Sequence, residues 1–325
     1  MTSSRQSITW REKQTKLIKE EIEALLAPLS DVTSLCDLIK EPLLEAGPVM
    51  DAESTRHQLW LFLPLLVCEA ICGRTEPAVP VAVTFRLLKT AAEVFDDIED
   101  ADSSNSLSAK YGVALATNVA TTLVILAEKA IAGLKARGVA DSVIVRIMDS
   151  VNSSYTTACV GQHLDIALSS ETTISEDIYL KITGMKTASQ IGCACNVGAL
   201  VATTNKELVN SFTAFGNNLG MASQIVNDIQ GVTSGGDILK RRISLPVIYA
   251  LAQSEGEIHN QLVLAFYKPF ESQVDPTQVR NLLYSTGAIY YATIKMELYK
   301  QLALDILLEV QELGGKVERL RLFLE

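Results

Sequence analysis

The run Asp96-Asp97-Ile98-Glu99-Asp100 is almost entirely acidic and follows an apolar stretch, Val79 to Phe95. On a helix, residues four apart are neighbours, so Asp96 and Asp100 would share one face. Carboxylates packed this closely repel one another unless a cation lies between them. Mg²⁺ takes oxygen ligands and bridges carboxylates to substrate phosphates. The run therefore predicts a metal site with Asp96 and Asp100 as ligands; the alternative is a solvent-exposed helix end.

A second group of oxygen-bearing residues ends another apolar helix, which the periodicity predicts over about 206–230. Gln224, Asn227 and Asp228 fall on one face of this helix, and Asp237 follows a Gly/Ser-rich loop. A lone Asn-Asp pair is usually a cap or a turn. Two such groups, each ending an apolar helix, instead predict one divided metal site. Asn227, Asp228 and Asp237 are its predicted ligands, and Gln224 is a predicted site residue.

Cations that could complete a cage for a polyphosphate lie near both groups in the chain. Lys186 is one, and Lys240-Arg241-Arg242 follows Asp237. Lysine and arginine beside metal-bound carboxylates can hold a diphosphate and stabilise the charge that develops as it leaves. We predict Lys186 and Arg242 as diphosphate contacts, with Arg241 and Lys240 as alternatives to Arg242.

Gln162 and Asp165 lie one turn apart on a predicted helix over about 140–168. We predict that both face the site. Asp165 is expected to hold Lys186 or a substrate-side water, with a purely structural hydrogen bond as the equal alternative.

The elements that must position these residues are predicted to be helices throughout. Apolar residues recur at three- and four-residue spacing, and alternating strands are missing. Long helices with short loops favour an all-α bundle, in which facing helices project site residues inward. The long helices are expected at about 107–136, 140–168, 175–203 and 206–230, with a capping box at Thr173 and Glu176 and a loop over Val232–Asp237.

Composition limits the function further. The chain has 325 residues, 48% of them hydrophobic, and a formal charge of −10. It lacks the Lys/Arg block typical of nucleic-acid binding. The start is too polar for a signal peptide, and the longest apolar run, Leu59 to Gly73, is too short to be transmembrane. The six cysteines are interpreted as reduced core residues, which favours a cytoplasmic protein.

Five motifs, in order, resemble those of the trans-isoprenyl diphosphate synthase (polyprenyl synthetase) family. They are DDxxD at 96–100, GQxxD at 161–165, Lys-Thr at 186–187, a QxxDD-like segment at 224–228, and a tail at 237–251 in which Arg242 takes the place of a lysine.

The resemblance implies one isoprenoid-synthase-like domain over 1–325, with the helices of 1–50 packed on a bundle around a deep apolar pocket. It also implies three Mg²⁺, a prenyl diphosphate substrate and a homodimer. In this family, bulky residues four and five positions before DDxxD limit chain length. Here these residues are Ala92 and Ala91, so we expect a substrate of C15–C20 or longer, with C20 favoured.

The chain departs from the family where the second substrate, isopentenyl diphosphate, binds. His57-Gln58 stands in place of a Lys-Arg stretch, Lys89 in place of a histidine, and Asp102-Ser103-Ser104 in place of an arginine pair. In the second metal motif, Asn227 and Gly231 replace its first and last aspartates, which makes it similar to terpene cyclase motifs.

We therefore predict a terpene synthase on the prenyltransferase fold, which ionises an allylic diphosphate and directs the cation to a terpene. The first alternative is a prenyltransferase acting on another acceptor, such as a peptide Trp or indole. The second alternative is an ordinary chain-elongating polyprenyl diphosphate synthase or a non-catalytic regulatory subunit.

Overall fold

The computed structural model describes residues 2–45, 59–100, 105–168, 174–267 and 275–321. Within these ranges every regular element is a helix, which confirms the predicted all-α class. The helices, numbered in chain order, are α1 Thr2–Leu26, α2 Thr33–Glu45, α3 Leu63–Cys72, α4 Val79–Asp100, α5 Leu107–Tyr111, α6 Val113–Ala132, α7 Asp141–Leu168, α8 Glu176–Thr183, α9 Ser189–Ala202, α10 Lys206–Ser234, α11 Gly236–Leu239, α12 Leu245–Gln253, α13 Gly256–Tyr267, α14 Pro276–Ser285, α15 Ala288–Glu312 and α16 Glu318–Arg321.

Two of the predicted long helices are interrupted. The helix expected over 107–136 breaks at Gly112, whose φ of 86° lies outside the helical region. The helix expected over 175–203 contains a π-helical turn, Gly184–Ala188, between α8 and α9. Periodicity alone missed both breaks because the apolar spacing continues across them.

Two predicted boundaries also differ. Thr173, the expected start of a capping box, lies outside the described residues. The N-cap of α8 is Ser175, whose hydroxyl accepts a hydrogen bond from the backbone N–H of Ile178 at 3.3 Å. The predicted Val232–Asp237 loop is mostly helical, because α10 continues to Ser234 and α11 begins at Gly236.

The main core runs through most of the bundle and includes residues from Leu26 to Leu320. α4 packs along α6, and α9 packs against both α3 and α10. Phe85, Phe212 and Phe215 are fully buried in this core, and burial of each such side chain contributes roughly 1.5–3 kcal/mol. Because this core combines residues from near both ends of the sequence, it supports the single domain predicted over 1–325, which stays a prediction.

A smaller cluster joins the end of α10 to the C-terminal helices. Val232, Ile238 and Val247 pack there with Leu262 and Leu283. The cluster holds the segment that follows Asn227 and Asp228. Asp237 and the basic residues after it therefore lie between α10 and α12, which are both packed in this cluster.

The N-terminal helices lie on the bundle. Ile39 of α2 is fully buried, Nη2 of Arg86 in α4 donates to the carbonyl of Leu43 at 2.8 Å, and Arg137 pairs with Glu21 of α1 at 2.7 Å. These contacts agree with the predicted placement of residues 1–50 up to Glu45, where the described part of α2 ends.

One described segment, Val113–Arg137, is long and apolar enough to cross a membrane when judged by length and composition alone. Its most apolar window has a mean hydropathy of 1.4, and 44% of that window is buried. The core helix of a bundle passes the same test, and α6 packs along α4. This is weak evidence for a span, and the absence of a transmembrane segment stays a prediction.

All six cysteines are free thiols. Cys36, Cys68, Cys193 and Cys195 are buried, as expected for core residues, whereas Cys72 and Cys159 are exposed. Burial raises the pKa of Cys193 to about 12, so its thiol stays protonated at neutral pH and is a poor metal ligand.

Candidate active site

Gln162 links α7 to the acidic end of α4. Its Nε2 donates to Oδ1 of Asp96 at 3.0 Å and to Oε2 of Glu99 at 2.7 Å. Gln162 therefore faces the acidic run, as predicted, and holds two of its carboxylates. Asp100 is the last residue of α4, and its side chain lies outside the described part of the structure, so its role as a ligand stays a prediction.

The GQxxD and Lys-Thr motifs touch where α7 crosses the π turn. A Cβ on Gly161 would lie 2.8 Å from the backbone nitrogen of Lys186 and 2.9 Å from Cβ of Met185, so only glycine permits this approach. π turns often mark functional positions in helices. This one places Lys186 beside α7, where its Nζ lies 3.0 Å from Oδ2 of Asp165.

The ion pair between Lys186 and Asp165 is only partly buried. The side chains are 34% and 53% exposed, respectively. Such pairs contribute roughly 0–1 kcal/mol, so an incoming anion can compete for the ammonium group. Of the two roles expected for Asp165, the structure shows the contact with Lys186.

Thr187, the residue after Lys186, continues these polar contacts to Gln224 and Asp228 on α10. Oγ1 of Thr187 donates to Oε1 of Gln224 at 3.0 Å, and Nε2 of Gln224 donates to Oδ1 of Asp228 at 2.9 Å. Gln224 is thus held at both ends of its amide, and it connects the π turn to α10.

Asp228 is the most enclosed of the predicted ligands whose side chains the structure describes, at 6% exposed. Its Oδ2 accepts hydrogen bonds from the hydroxyl of Tyr179 at 2.7 Å and the backbone N–H of Leu245 at 3.0 Å. Burial raises the pKa of Asp228, and the hydrogen bonds from Leu245, Tyr179 and Gln224 oppose that rise. Because both oxygens already bind protein donors, the geometry favours a supporting role for Asp228, and metal binding by it stays a prediction.

Tyr179 is a site residue that the sequence analysis missed. It lies on α8, seven residues before Lys186, and is 9% exposed. Two turns of helix therefore separate the residue that holds Asp228 from the predicted diphosphate contact. A tyrosine at this spacing from the Lys-Thr motif is the signal that could have identified it.

Asp237 lies against α10 at the place where the second motif has a glycine. A Cβ on Gly231 would be 2.1 Å from Oδ2 of Asp237. Burial raises the pKa of Asp237, while the charges of Arg242 and Lys240 lower it. Both cations therefore act electrostatically on this carboxylate. The structure favours neither Lys240 nor Arg242 as the predicted diphosphate contact.

The backbone between those two cations is unusual. Arg241 has a φ of 55° and is the one non-glycine residue with a positive φ in the described ranges. The left-handed conformation costs roughly 1–2 kcal/mol for most residues. The tight turn lets Arg242 donate its backbone N–H to the carbonyl of Asp237 at 2.9 Å.

The oxygen donors fit Mg²⁺ by their chemistry, since they are carboxylates and an amide near the ends of two helices. No group of three or more His, Cys, Asp or Glu within metal-binding reach occurs among the described residues. Asp96, Asn227 and Asp237 would therefore bind Mg²⁺ only together with oxygens of a diphosphate. Proteins commonly bind Mg²⁺ in this way, through one or two carboxylates and the phosphates of the substrate.

The two alanines predicted to leave the pocket floor open lie near the end of α4, and the openness of that floor stays a prediction. Ala91 is buried and Ala92 is half-buried. Phe85 lies on the face of Asp96, eleven residues or about 16 Å below it. Its ring contacts those of Trp60 and Tyr155, with centroids 6.3 Å and 6.2 Å away. These rings form an aromatic group in the buried core, nearer the start of α4 than the two alanines.

Curated relatives resemble the chain over part of its length. A geranylgeranyl diphosphate synthase of Mycobacterium tuberculosis is 29% identical over 62% of this chain and 60% of that protein. One of Sulfolobus acidocaldarius is 31% identical over 50% of each chain. A geranylfarnesyl diphosphate synthase of Aeropyrum pernix is 25% identical over 75% of this chain and 79% of that protein. The chain thus spans about half to three-fifths of the length of the first two relatives.

Solved structures share the fold over nearly the whole chain. The geranylgeranyl pyrophosphate synthetase of Pyrococcus horikoshii has a TM-score of 0.86 and 22% identity, covering 99% of this chain and 97% of that one. A decaprenyl diphosphate synthase of Rhodobacter capsulatus has a TM-score of 0.77 at 19% identity, covering 97% and 96%. At these identities the likeness shows the fold.

The prediction of a terpene synthase is wrong, because the matched relatives are named as isoprenyl diphosphate synthases. It gave too much weight to single missing residues, while the five motifs taken together indicated the family correctly. The polyprenyl synthetase family model matches residues 59–283, which is more than half of the sequence and contains all five motifs, and the chain therefore belongs to the polyprenyl synthetase family.

Proposed function

We propose that this protein is a prenyltransferase that extends an allylic prenyl diphosphate with isopentenyl diphosphate and releases diphosphate. One observation carries the proposal. Four separate motifs are joined by direct contacts, of Gln162 with Asp96, Asp165 with Lys186, and Thr187 with Gln224. The names of the relatives support elongation as the reaction.

In the proposed reaction, the bond between the allylic carbon and the diphosphate oxygen breaks, and its electron pair leaves with the diphosphate. The double bond of isopentenyl diphosphate forms the new carbon–carbon bond, and a proton is lost from the adduct. Bound Mg²⁺ would supply charge stabilisation for the leaving oxygens. Lys186 and Arg242 would bind the diphosphate, while Asp96, Asp100, Asn227 and Asp237 would hold the metal.

We include a C20 product in the proposal. The small residues Ala91 and Ala92, about one turn before Asp96, support a pocket long enough for such a product. The names of two relatives, both geranylgeranyl diphosphate synthases, support this size.

The isopentenyl site is the part that needs direct testing. His57-Gln58 and Asp102-Ser103-Ser104 lie outside the described residues. Lys89, which stands in place of a histidine, pairs with Glu93 one turn later. Both side chains of this ion pair are partly exposed, so Lys89 can leave Glu93 and bind another anion.

The experiment is incubation with Mg²⁺ and a C10, C15 or C20 allylic diphosphate, with and without isopentenyl diphosphate, followed by product analysis. We expect extended products only when isopentenyl diphosphate is present. Diphosphate release with no extended product would overturn the proposal. Asp96→Ala is the control that separates enzymatic release from spontaneous hydrolysis.

We also propose a homodimer formed through α6 and α7. Val113, Leu115 and Ile125 of α6 are 58%, 49% and 57% exposed, and Val145 and Val160 of α7 are 64% and 44% exposed. Exposed apolar side chains on these two helices support an interface there, because apolar surface left open on a monomer is often an interaction site. We expect twice the chain mass in light scattering and dissociation by Ile125→Glu; a monomeric wild-type chain would contradict the proposal.

A cytoplasmic location is part of the proposal. It rests on the six free thiols, because disulfides are rare in cytosolic proteins.

A further inference from the structure

One row of residues on α10 contacts the chain all the way from α8 to α9. The members of this row follow one another at four-residue spacing, and residues so spaced share one face of a helix. They are Gly216, Gly220, Gln224 and Asp228. Gln224 accepts a hydrogen bond from Thr187 in the π turn, and Asp228 accepts one from Tyr179 in α8. The two glycines continue the row towards α9, where the contact is made by backbone alone.

These glycines bring the backbone of α10 directly against the neighbouring chain. A Cβ built on Gly220 would lie 2.6 Å from Cα of Ala188, the last residue of the π turn, and 3.2 Å from its Cβ. A Cβ on Gly216 would lie 2.6 Å from the carbonyl oxygen of Ile191 in α9. Backbone atoms cannot rotate away as a side chain can, so any residue with a Cβ would push the two segments apart.

The π turn is held by α7 in the same way as by α10. Each of these helices has a glycine against the turn and, four residues later, a polar side chain that binds a residue of the turn. On α7 the pair is Gly161 and Asp165, and Asp165 binds Lys186. On α10 the same spacing separates Gly220 from the side chain that binds Thr187. Two consecutive side chains of the turn are therefore bound by two different helices.

Side chains also bind the carbonyl groups of the turn. Ser189 donates its hydroxyl to the carbonyl of Met185 at 2.6 Å, and Nε2 of Gln190 donates to the carbonyl of Lys186 at 2.6 Å. From α7, the hydroxyl of Ser154 donates to the carbonyl of Ser189 at 2.9 Å. Hydrogen bonds from a side chain back to a carbonyl one turn earlier bend helices. These bonds therefore fix the shape of the turn, while the glycines fix its place between the helices.

We infer that Gly220 is a positioning residue for Lys186, because it closes α10 onto the backbone of the π turn. The hydrogen bond between Thr187 and Gln224, one turn further along α10, holds the same contact. Lysine carries its charge on a flexible stem, so the place of the turn decides where the ammonium group can reach. The inference rests on the proposed function, since it takes diphosphate as the anion that Lys186 binds.

The test measures binding of inorganic diphosphate with Mg²⁺ by calorimetry. We expect Gly220→Ala to weaken binding about 3- to 10-fold, because the added methyl group moves the turn and Lys186 with it. Gly198→Ala is the matched control, since a Cβ there would lie 2.6 Å from the carbonyl oxygen of Pro64 and 2.8 Å from its Cα. That contact joins α9 to α3, about 15 Å along α9 from the turn. The control should lower the melting temperature as Gly220→Ala does and keep wild-type binding.

A double-mutant cycle separates positioning from a general structural effect. If Gly220 acts through Lys186, then Gly220→Ala should add almost nothing to the loss caused by Lys186→Ala, whereas independent losses would multiply. Thr187→Val tests the same contact if Gly220→Ala does not fold, because it removes the hydroxyl that binds Gln224 and keeps the branched shape. It should weaken binding to a similar extent, again with no added loss in Lys186→Ala. Thr187→Ser, which keeps the hydroxyl, should recover most of the binding.

Four results would overturn the inference. They are wild-type binding in folded Gly220→Ala or Thr187→Val, equal weakening in Gly198→Ala, losses that multiply in the double variants, and a wild-type chain that binds no Mg²⁺–diphosphate. The outcomes also differ from those of the proposed function. Weakened binding that depends on Lys186, in a protein that makes no extended prenyl product, supports the inference and refutes elongation. Elongation by the wild type, with unchanged binding in Gly220→Ala, refutes the inference and supports the proposed function.

Discussion

The hydroxyl of Tyr179 donates a hydrogen bond of 2.7 Å to Oδ2 of Asp228, inside the protein and between two different helices. The same oxygen accepts the backbone N–H of Leu245 at the start of α12. One buried carboxylate therefore fixes α8, α10 and α12 relative to one another. This relationship gives Asp228 a structural role, whether or not it binds a metal ion.

We expect Tyr179→Phe to lower the free energy of unfolding by about 1–3 kcal/mol, because a charged hydrogen bond inside the protein is lost. Urea unfolding measures it. Tyr155→Phe is a matched control, since the Tyr155 hydroxyl is buried and has no hydrogen-bond partner among the described residues. Its removal should be neutral or stabilising, and equal losses in both variants would contradict the role of Asp228.

The contact between Gln162 and Asp96 should set metal affinity. Gln162→Ala removes the donor that orients Asp96 and Glu99, and loss of such a supporting contact typically costs 10- to 100-fold in metal affinity or activity. We expect the Mg²⁺ concentration for half-maximal activity to rise by about that factor. Asp96→Ala should reduce turnover by roughly 10³-fold or more. Unchanged Mg²⁺ dependence in Gln162→Ala would contradict this assignment.

Lys186 should affect anion binding more than folding. Its pair with Asp165 is partly exposed, so Lys186→Ala should change the free energy of unfolding by less than about 1 kcal/mol. Binding of Mg²⁺–diphosphate should weaken by about tenfold or more. The control is Lys135→Ala, which breaks an exposed pair with Asp141 and should leave binding unchanged. Wild-type affinity in Lys186→Ala would show that this lysine does not contact the diphosphate.

The cluster of Glu176, Lys295 and Tyr291 gives a pH-dependent stability. Nζ of Lys295 lies 2.8 Å from Oε1 of Glu176, and the Tyr291 hydroxyl donates to Oε2 at 2.6 Å. Burial alone would raise the pKa of Glu176, but the hydrogen bonds from Lys295 and Tyr291 outweigh it and lower that pKa. The hydrogen bond with Glu176 also raises the pKa of Lys295.

A carboxyl whose pKa is lower in the folded state stabilises the protein above its ordinary pKa of about 4.3 and loses this contribution as the pH falls through the folded value. A lysine whose pKa is raised keeps its contribution until the pH rises above about 10.4. We therefore expect Glu176→Gln to cost about 1 kcal/mol near neutral pH and much less at about pH 3. Denaturant unfolding at both pH values checks this, and an equal cost at both would contradict it.

The sequence analysis predicted a terpene synthase chiefly because basic residues of the isopentenyl site are missing at 57–58, 89 and 102–104. As a second argument, it counted Asn227 and Gly231 as departures from the second metal motif. In the folded chain the carboxylate of Asp237 lies where a side chain at position 231 would be. A ligand set is defined in space, so a residue from a loop can stand where the motif position itself has none.

The amino-acid sequence by itself determined the all-α class and the family. Helical periodicity and the order of the five motifs are local properties of the chain, and local properties can be read directly. The 3.6-residue period also predicted that Gln162 and Asp165 lie one turn apart on the same helix, but the helix that Gln162 faces could not be read from that period.

Only the tertiary structure decided where Asp228 and Asp237 point. Asp228 turns towards Tyr179 and Leu245 because α8 and α12 pack on α10 there, and Asp237 returns to Gly231 because the chain reverses at Gly235. Both outcomes depend on which distant segments come together. A spacing rule along one helix contains no information about its neighbours, and the packing of the bundle supplies it.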